Sequence, residues 1–365
     1  MSHTKTAWEE YCIKTLEALV PLFVSHHIVL DEHQPHISGE RFLMSAITTT
    51  SGRKLILLGS YKGTKVVIKV SNEAGGIQEI EHERTCRRVV NEIDFSGETF
   101  DTPPELLYVQ LSGYVITAQK YIEQESGFTE RPLEEQFAFA LTAFKAQESA
   151  HATTFKHRQH VARVFAVRTA DTYIKNFEGF CDNLKSNFAD NAYLLELLTK
   201  AKIELQEHKT IIEQYTGFLT HTDFVPHNIR ISGGKIYLLD YSSLAFGNKY
   251  EGWARFINFM TLYNQPLEEA LTTYVRDNRT PEELISLRMM RIYRLGEIIW
   301  YYVRTLSKSS QNLLQLNTAR VHFWTEVLSF VLQDVPVPQN VITSYIKTRD
   351  ELRSDDEKLR QKGLH

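Results

Sequence analysis

The chain of 365 residues sets 41 Lys+Arg against 45 Asp+Glu for a net charge of −4, and is 42% hydrophobic and 24% charged. That balance excludes the basic domain on which generic nucleic-acid binding rests, and the length suits two domains or one large two-lobed unit. Three scattered cysteines, Cys12, Cys86 and Cys181, lack CxxC spacing, which excludes a disulfide framework and a cysteine zinc site and points to a reducing compartment.

The first residues, MSHTKTAWEEYC, carry acids where a signal peptide is basic and then apolar, so a cytoplasmic protein is expected. Residues 7–24 place Trp8, Tyr11, Leu16, Leu19 and Phe23 at helical spacing and predict an amphipathic opening helix. From about 41, FLMSAITT, KLILLGSY and KVVIKV predict three antiparallel strands joined by tight turns. Gly75-Gly76 leads into IQEIEHERTCRRVV, a predicted helix with Glu79 and Glu83 four residues apart on one face. After Pro103-Pro104, ELLYVQL and YVITAQKYI read as two further strands. An N-terminal unit of residues 1–122 and a helical remainder of residues 123–365 are predicted.

In that remainder, Pro132 marks a helix start, and Leu133, Phe137, Leu141 and Phe144 continue at helical spacing. Further helical patterns cover about 170–216, 250–276, 281–306 and 312–333, and the charged tail from 348 reads as a solvated helix end. The most apolar run, IIWYYV at 298–303, is far shorter than a membrane span, so no membrane partner is expected. His151, His157 and His160 have no interleaved acid or cysteine and read as surface residues; the basic run Lys156, Arg158, Arg163 and Arg168 reads as a solvated face.

The exception to helix is NIRISGGKIYLLD at 228–240, a β-hairpin turning at Gly233-Gly234. It follows HTDFVPHN at 221–228, which packs an aspartate, two histidines and an asparagine into eight positions. The hairpin sets Asn228 opposite Leu239, one position from Asp240, with Asp223 close by. An amide oxygen beside a carboxylate suits a hard divalent cation that bridges phosphates. A metal-dependent hydrolase using His221, Asp223, His227 and Asp240 as ligands is the competing metal reading.

HTDFVPHN with the following LLDYSS resembles the H-x-D-x-x-x-x-N catalytic loop and metal-binding aspartate of the protein-kinase-like fold. The D-F-x-P-x-N wording is similar to the aminoglycoside phosphotransferase and choline kinase branch. The resemblance spans most of the chain, because strands, helix, strands and then helices is also the order of that fold. It implies a bilobal α+β fold with a small antiparallel-sheet N-lobe, one key helix and a larger, mainly helical C-lobe.

The activity it implies is transfer of the γ-phosphoryl group of ATP, or another nucleoside triphosphate, to a hydroxyl of a small molecule. Lys69 of VVIK would hold the phosphates, steadied by Glu83 or Glu79, and Gly52 would lie in the phosphate loop. Asn228 and Asp240 would hold Mg²⁺, Asp223 would orient or deprotonate the acceptor hydroxyl, and His221 would brace the loop. Trp253 and Glu251 are expected beside the acceptor, and the acids Glu251, Glu268 and Glu269 lean toward a cationic one.

The chain departs from the branch in three places. TTTSGRK has a single glycine, Thr222 stands for a glycine, and GNKYEGWA at 247–254 puts Gly252 where the branch carries an aspartate. The alternative function is a catalytically silent protein of this fold that binds nucleotide or a partner. The presence of Lys69, Asp223, Asn228 and Asp240 together favours transfer.

Overall fold

Helix α1 (Ala7–Ser25) opens the computed structural model, which describes residues 7–32, 34, 52–93, 100–149, 155–188, 191–309, 311–353 and 358. Its buried Tyr11, Leu19 and Phe23 lie on an antiparallel sheet of β1 (Ile28–Leu30), β2 (Leu55–Tyr61), β3 (Thr64–Ser71), β4 (Glu105–Leu111) and β5 (Tyr114–Lys120). The strand order is β1-β2-β3-β5-β4. The expected strand at FLMSAITT lies outside the described residues. Among the described residues the edge strand beside β2 is β1, whose three residues are too few to show a period.

Strand alternation sorts the two faces. Leu55, Leu57, Val66, Ile68 and Val70 form a core with α1. Lys69 points to the other face, where α2 (Ala74–Glu92) packs. Further along α2, Cys86, Val89 and Val90 enter a second and larger core built by the helices that follow the sheet.

Those helices are α3 (Leu133–Ser149), α4 (Phe155–Val164), α5 (Ala170–Asn187), α6 (Ala192–Glu207) and α7 (Lys209–Gln214), then α8 (Glu251–Tyr263), α9 (Gln265–Asn278), α10 (Pro281–Leu306), α11 (Gln311–Leu332) and α12 (Gln339–Leu352). The pattern over 170–216 divides into three helices, with Thr169 capping α5 and Asn191 capping α6 through their side chains. Asn264 likewise ends α8 and caps α9, dividing the pattern over 250–276. Thr280 and Glu283 close a capping box on α10.

Short strands carry the site, four of them between α7 and α8 and one between α4 and α5. β6 (Ala166–Val167), β7 (Phe218–His221) and β10 (Leu244–Gly247) form a three-stranded sheet, and β8 (Ile229–Ser232) with β9 (Lys235–Leu238) forms the expected hairpin. Among the described residues no helix is long and apolar enough to cross a membrane.

Candidate active site

Two lysines leave the sheet side and meet two glutamates of α2. Lys69 Nζ lies 2.6 Å from Glu83 Oε2, and Lys54 pairs with Glu79. The sequence left the choice of partner open; the four-residue spacing of the acids lets each reach a different lysine. The Lys69 and Glu83 side chains are only 12% and 4% exposed. Removing one partner would strand a buried charge, at a cost of about 3–5 kcal/mol.

The hairpin closes in the expected register, with Ile229 opposite Leu238 and Leu239 N–H donating to Asn228 O at 2.8 Å. Asp240 then takes a left-handed backbone, φ 55°, which turns the chain into a single 3₁₀ turn at 241–243. Its carboxylate accepts the hydroxyls of Ser242 at 2.5 Å and Ser243 at 3.1 Å. Burial pushes this carboxyl up, but the Lys69 ammonium and the Ser242 hydroxyl outweigh it and hold the group below its ordinary range. The sheet lysine and the hairpin aspartate therefore share one electrostatic environment.

Asp223 sits in the bend between β7 and β8. Asn228 Nδ2 donates to Asp223 O at 2.8 Å and to its Oδ2 at 3.2 Å, which turns the amide oxygen of Asn228 away from Asp223. From α8, Arg255 places Nε 3.1 Å and Nη2 3.0 Å from Asp223 Oδ1. Desolvation raises the Asp223 carboxyl, yet Arg255, His227 and His221 bring it down to about 2. It stays ionised at neutral pH while its side chain remains 39% exposed.

His221 is fully buried, and its Nε2 donates toward the carbonyls of Leu239 and Asp240, each at 3.0 Å. This is the brace expected of it. A ring committed to two carbonyls cannot also use that nitrogen on zinc, which weighs against the hydrolase reading. Among the described residues no cluster of three or more His, Cys, Asp or Glu gathers in a metal-holding arrangement. Asn228 and Asp240, an amide oxygen and an ionised carboxylate, have the donor chemistry of a hard cation such as Mg²⁺.

Thr222 accommodates its departure from glycine by donating both its N–H and its hydroxyl to Ser243 O at 2.9 Å. Gly52 is placed against the first turn of α2, with φ +71°, where a Cβ would come within 2.7 Å of Gly76 N. That close approach accounts for the glycine without invoking a nucleotide. The structure thus joins Lys69 to Glu83, Asn228 to Asp223 and, through the hairpin, Asn228 to Asp240, packs α2 on the turn after Asp240, and sets Gly52 just before β2 against α2.

Two charged residues of this region were not anticipated. Lys54 sits two positions before Ile56, which pairs with Lys69, so strand alternation carries the signal for it. Arg255 is the one charge inside the apolar run WARFINFM, and a lone cation in such a helix must find a partner.

The expected acceptor contacts are corrected. Trp253 is fully buried and stacks on Phe144, ring centroids 4.0 Å apart. Glu251 is also fully buried, paired with Arg168 and with Arg294 at 3.4 Å, and it accepts Tyr173 OH at 2.6 Å. Glu268 is taken by Arg291 at 2.5 Å. Arg168 consequently belongs to this buried network rather than to a solvated face. Helical spacing located these residues without revealing which face turned inward, and Glu251 and Glu268 have no charge to spare for a cationic acceptor. His160 does lie toward the surface, 3.7 Å from Glu92, whereas His151 and the side chains of His157, Lys156 and Arg158 fall outside the described residues.

No family model matches the chain, and no curated protein matches it. Solved structures do. One is a thermostable mutant of aminoglycoside phosphotransferase APH(4)-Ia, 14% identical, covering 86% of this chain and 97% of that one at a TM-score of 0.59. Another is the GDP complex of aminoglycoside 2′-phosphotransferase-IIIa, 10% identical over 86% and 98%, TM-score 0.59. A third is macrolide 2′-phosphotransferase MphH from Brachybacterium faecium, 15% identical over 84% and 98%, TM-score 0.55. At such identities the likeness is one of architecture: the chain has the α+β, protein-kinase-like fold of these aminoglycoside and macrolide phosphotransferases.

Proposed function

We propose that this chain moves the γ-phosphoryl group of a nucleoside triphosphate onto a hydroxyl of a small molecule. The carrying observation is that α2, whose Glu83 anchors Lys69 at 2.6 Å, packs on the turn that follows Asp240, at the open end of the hairpin beside Asn228. A fixed cation close to a half-buried, ionised carboxylate is the pairing needed to hold a metal–triphosphate.

In this reading Lys69 binds the phosphates, and Glu83 keeps its ammonium from wandering. Gly52 stays a candidate for the segment that covers them. Asn228 and Asp240 would hold Mg²⁺, which when bound offsets phosphate charge. Residues 1–122 would supply the nucleotide side, and residues 123–365 the catalytic loop and acceptor side.

Asp223 orients the acceptor hydroxyl. A carboxylate held near 2 is a weak base at rest, so it takes the proton only as the acceptor oxygen bonds to the γ-phosphorus. The bridging bond to the β-phosphate breaks at the same time, and the nucleoside diphosphate leaves. Arg255 fixes Asp223 Oδ1 and keeps the carboxylate charged. Positioning and electrostatics carry the rate.

The ligands of the structural neighbours are consistent with this reading: one was captured with ADP and hygromycin B, another with AMP-PNP and hygromycin B, and a third with GDP. The test is a screen of hydroxyl metabolites, aminoglycosides and macrolides for acceptor-dependent release of ADP or GDP in the presence of Mg²⁺. A hit that vanishes in Asp223→Asn supports the proposal. Absence of Mg²⁺-dependent binding of any nucleoside triphosphate would sink it.

A further inference from the structure

Gly252, in the first turn of α8, stands where the resembling branch carries an aspartate. A Cβ built there would run into Gln147 Oε1, with Gln147 Cδ at 3.1 Å and Nε2 at 3.2 Å. The amide of Gln147, reaching across from α3, occupies the volume that a side chain at 252 would take. Gln147 is fully buried. Its Oε1 accepts from the His221 N–H and from the Thr220 hydroxyl, both at 3.4 Å. The Gly252 N–H donates in turn to the Thr220 hydroxyl at 3.0 Å.

Thr220 and His221 are the last residues of β7, and Asp223 comes two residues later. Among the described residues, Gln147 Nε2 is buried without a hydrogen-bond partner. An unpaired buried N–H is unfavourable, and packing alone would be served better by an apolar side chain of similar size. What the amide gains in return is its oxygen's contact with the end of β7.

We infer that Gln147 is a positioning residue for the catalytic loop, gripping the end of β7 from α3 through the space that Gly252 leaves open. The grip on the loop stands on the geometry; its kinetic consequence rests on the phosphotransfer reading. Without it, the bend that carries Asp223 is free to shift against Arg255 and Asn228, while the ion pair of Lys69 with Glu83 is untouched. The loss falls on turnover more than on nucleotide affinity.

The test uses the full chain and four variants: Gln147→Met, Gln147→Ala, Gly252→Asp, and Gln147→Ala combined with Gly252→Asp. Gln147→Met keeps the volume and removes the oxygen, so it separates positioning from packing. Hydrogen exchange is read on peptides covering 218–228 and, as an internal reference, 55–71. Both Gln147 variants should raise exchange at 218–228 and leave the reference unchanged. They should lower kcat by about 10- to 100-fold, the scale of a misplaced catalytic group, with the nucleotide KM nearly unchanged. The double variant should recover protection that each of its single changes lacks.

Wild-type exchange at 218–228 in Gln147→Met would overturn the inference, as would a double variant no better than Gln147→Ala. A wild-type chain with no nucleotide turnover would refute the proposed function instead, and the exchange data would still decide whether Gln147 holds the loop.

Discussion

Lys69 Nζ and Glu83 Oε2 meet at 2.6 Å between β3 and α2, while Glu79, one turn earlier, is already taken by Lys54. The two acids are alike in sequence and unlike in consequence. Glu83→Gln should weaken Mg²⁺-nucleotide binding by about tenfold, equivalent to about 1.4 kcal/mol, and Glu79→Gln by clearly less. Calorimetric titration of both variants decides it, and equal losses would remove the distinction.

Asp223→Asn keeps the shape of the side chain and removes its charge. Turnover should fall by roughly 10²–10⁴, while Mg²⁺-nucleotide affinity stays near that of the unaltered chain. Single-turnover rates beside calorimetry separate the two quantities. A matching loss of affinity would move Asp223 from the acceptor to the metal.

Asp240 holds a left-handed backbone that asparagine tolerates and alanine does not readily adopt. Asp240→Asn should therefore fold with near-native stability and yet lose Mg²⁺-dependent nucleotide binding and turnover together. Asn228→Ala should show a milder version of both. A thermal-shift series with and without Mg²⁺ and nucleotide is the check: the shift should vanish in the first variant and shrink in the second. An undiminished shift in Asp240→Asn would contradict the assignment.

The buried network at the start of α8 is a matter of stability. Trp253→Ala should cost about 3–5 kcal/mol, the usual loss for emptying a core aromatic site. Glu251→Gln leaves Arg168 short of a counter-charge, while Arg294 keeps Glu297 at 2.5 Å, and should also destabilise by several kcal/mol, roughly 3–5. Denaturant midpoints measure both. If either variant kept its midpoint and changed only the KM of an acceptor, the corrected placement would be wrong.

Glu283 gives a pH signature away from the catalytic loop. Burial raises its carboxyl, but Lys249 Nζ at 2.5 Å, the Thr280 N–H at 3.1 Å and the Tyr250 hydroxyl at 2.8 Å draw it down to about 2. A carboxyl lower in the folded than in the unfolded chain contributes fully above the ordinary glutamate value of about 4.3. That contribution is lost as the pH falls toward about 2. Urea midpoints should decline over this window, and the decline should be shallower in Glu283→Gln.

Much of this was legible beforehand because it depends on local pattern. The hairpin register follows from a two-glycine turn, and it alone sets Asn228 beside Asp240. The shared face of the helix acids follows from their four-residue spacing, whereas the strand lysine came from the resemblance of VVIK to the kinase-like pattern. Other features depend on tertiary contacts that no local pattern encodes. Which acid meets Lys69 is decided by how α2 docks across two strands. Glu251 reads as an acid available to an acceptor until Arg168, Tyr173 and Arg294 close over it from the segment before α5, from α5 and from α10. Arg255 stood outside every motif, although its isolation in an apolar helix was visible.

Helix α2 is rooted at both ends of its task. Glu83 faces the sheet, whereas Cys86, Val89 and Val90 are sunk in the larger core, and the helix also packs on the turn that follows Asp240. Swinging Glu83 away from Lys69 would drag those apolar side chains toward water, at roughly 1.5–3 kcal/mol for each large one. A helix moored in this way is a poor lever for on–off control. Under the proposed function, the lysine–glutamate clasp is therefore a standing fixture, closed whether or not a nucleotide is bound.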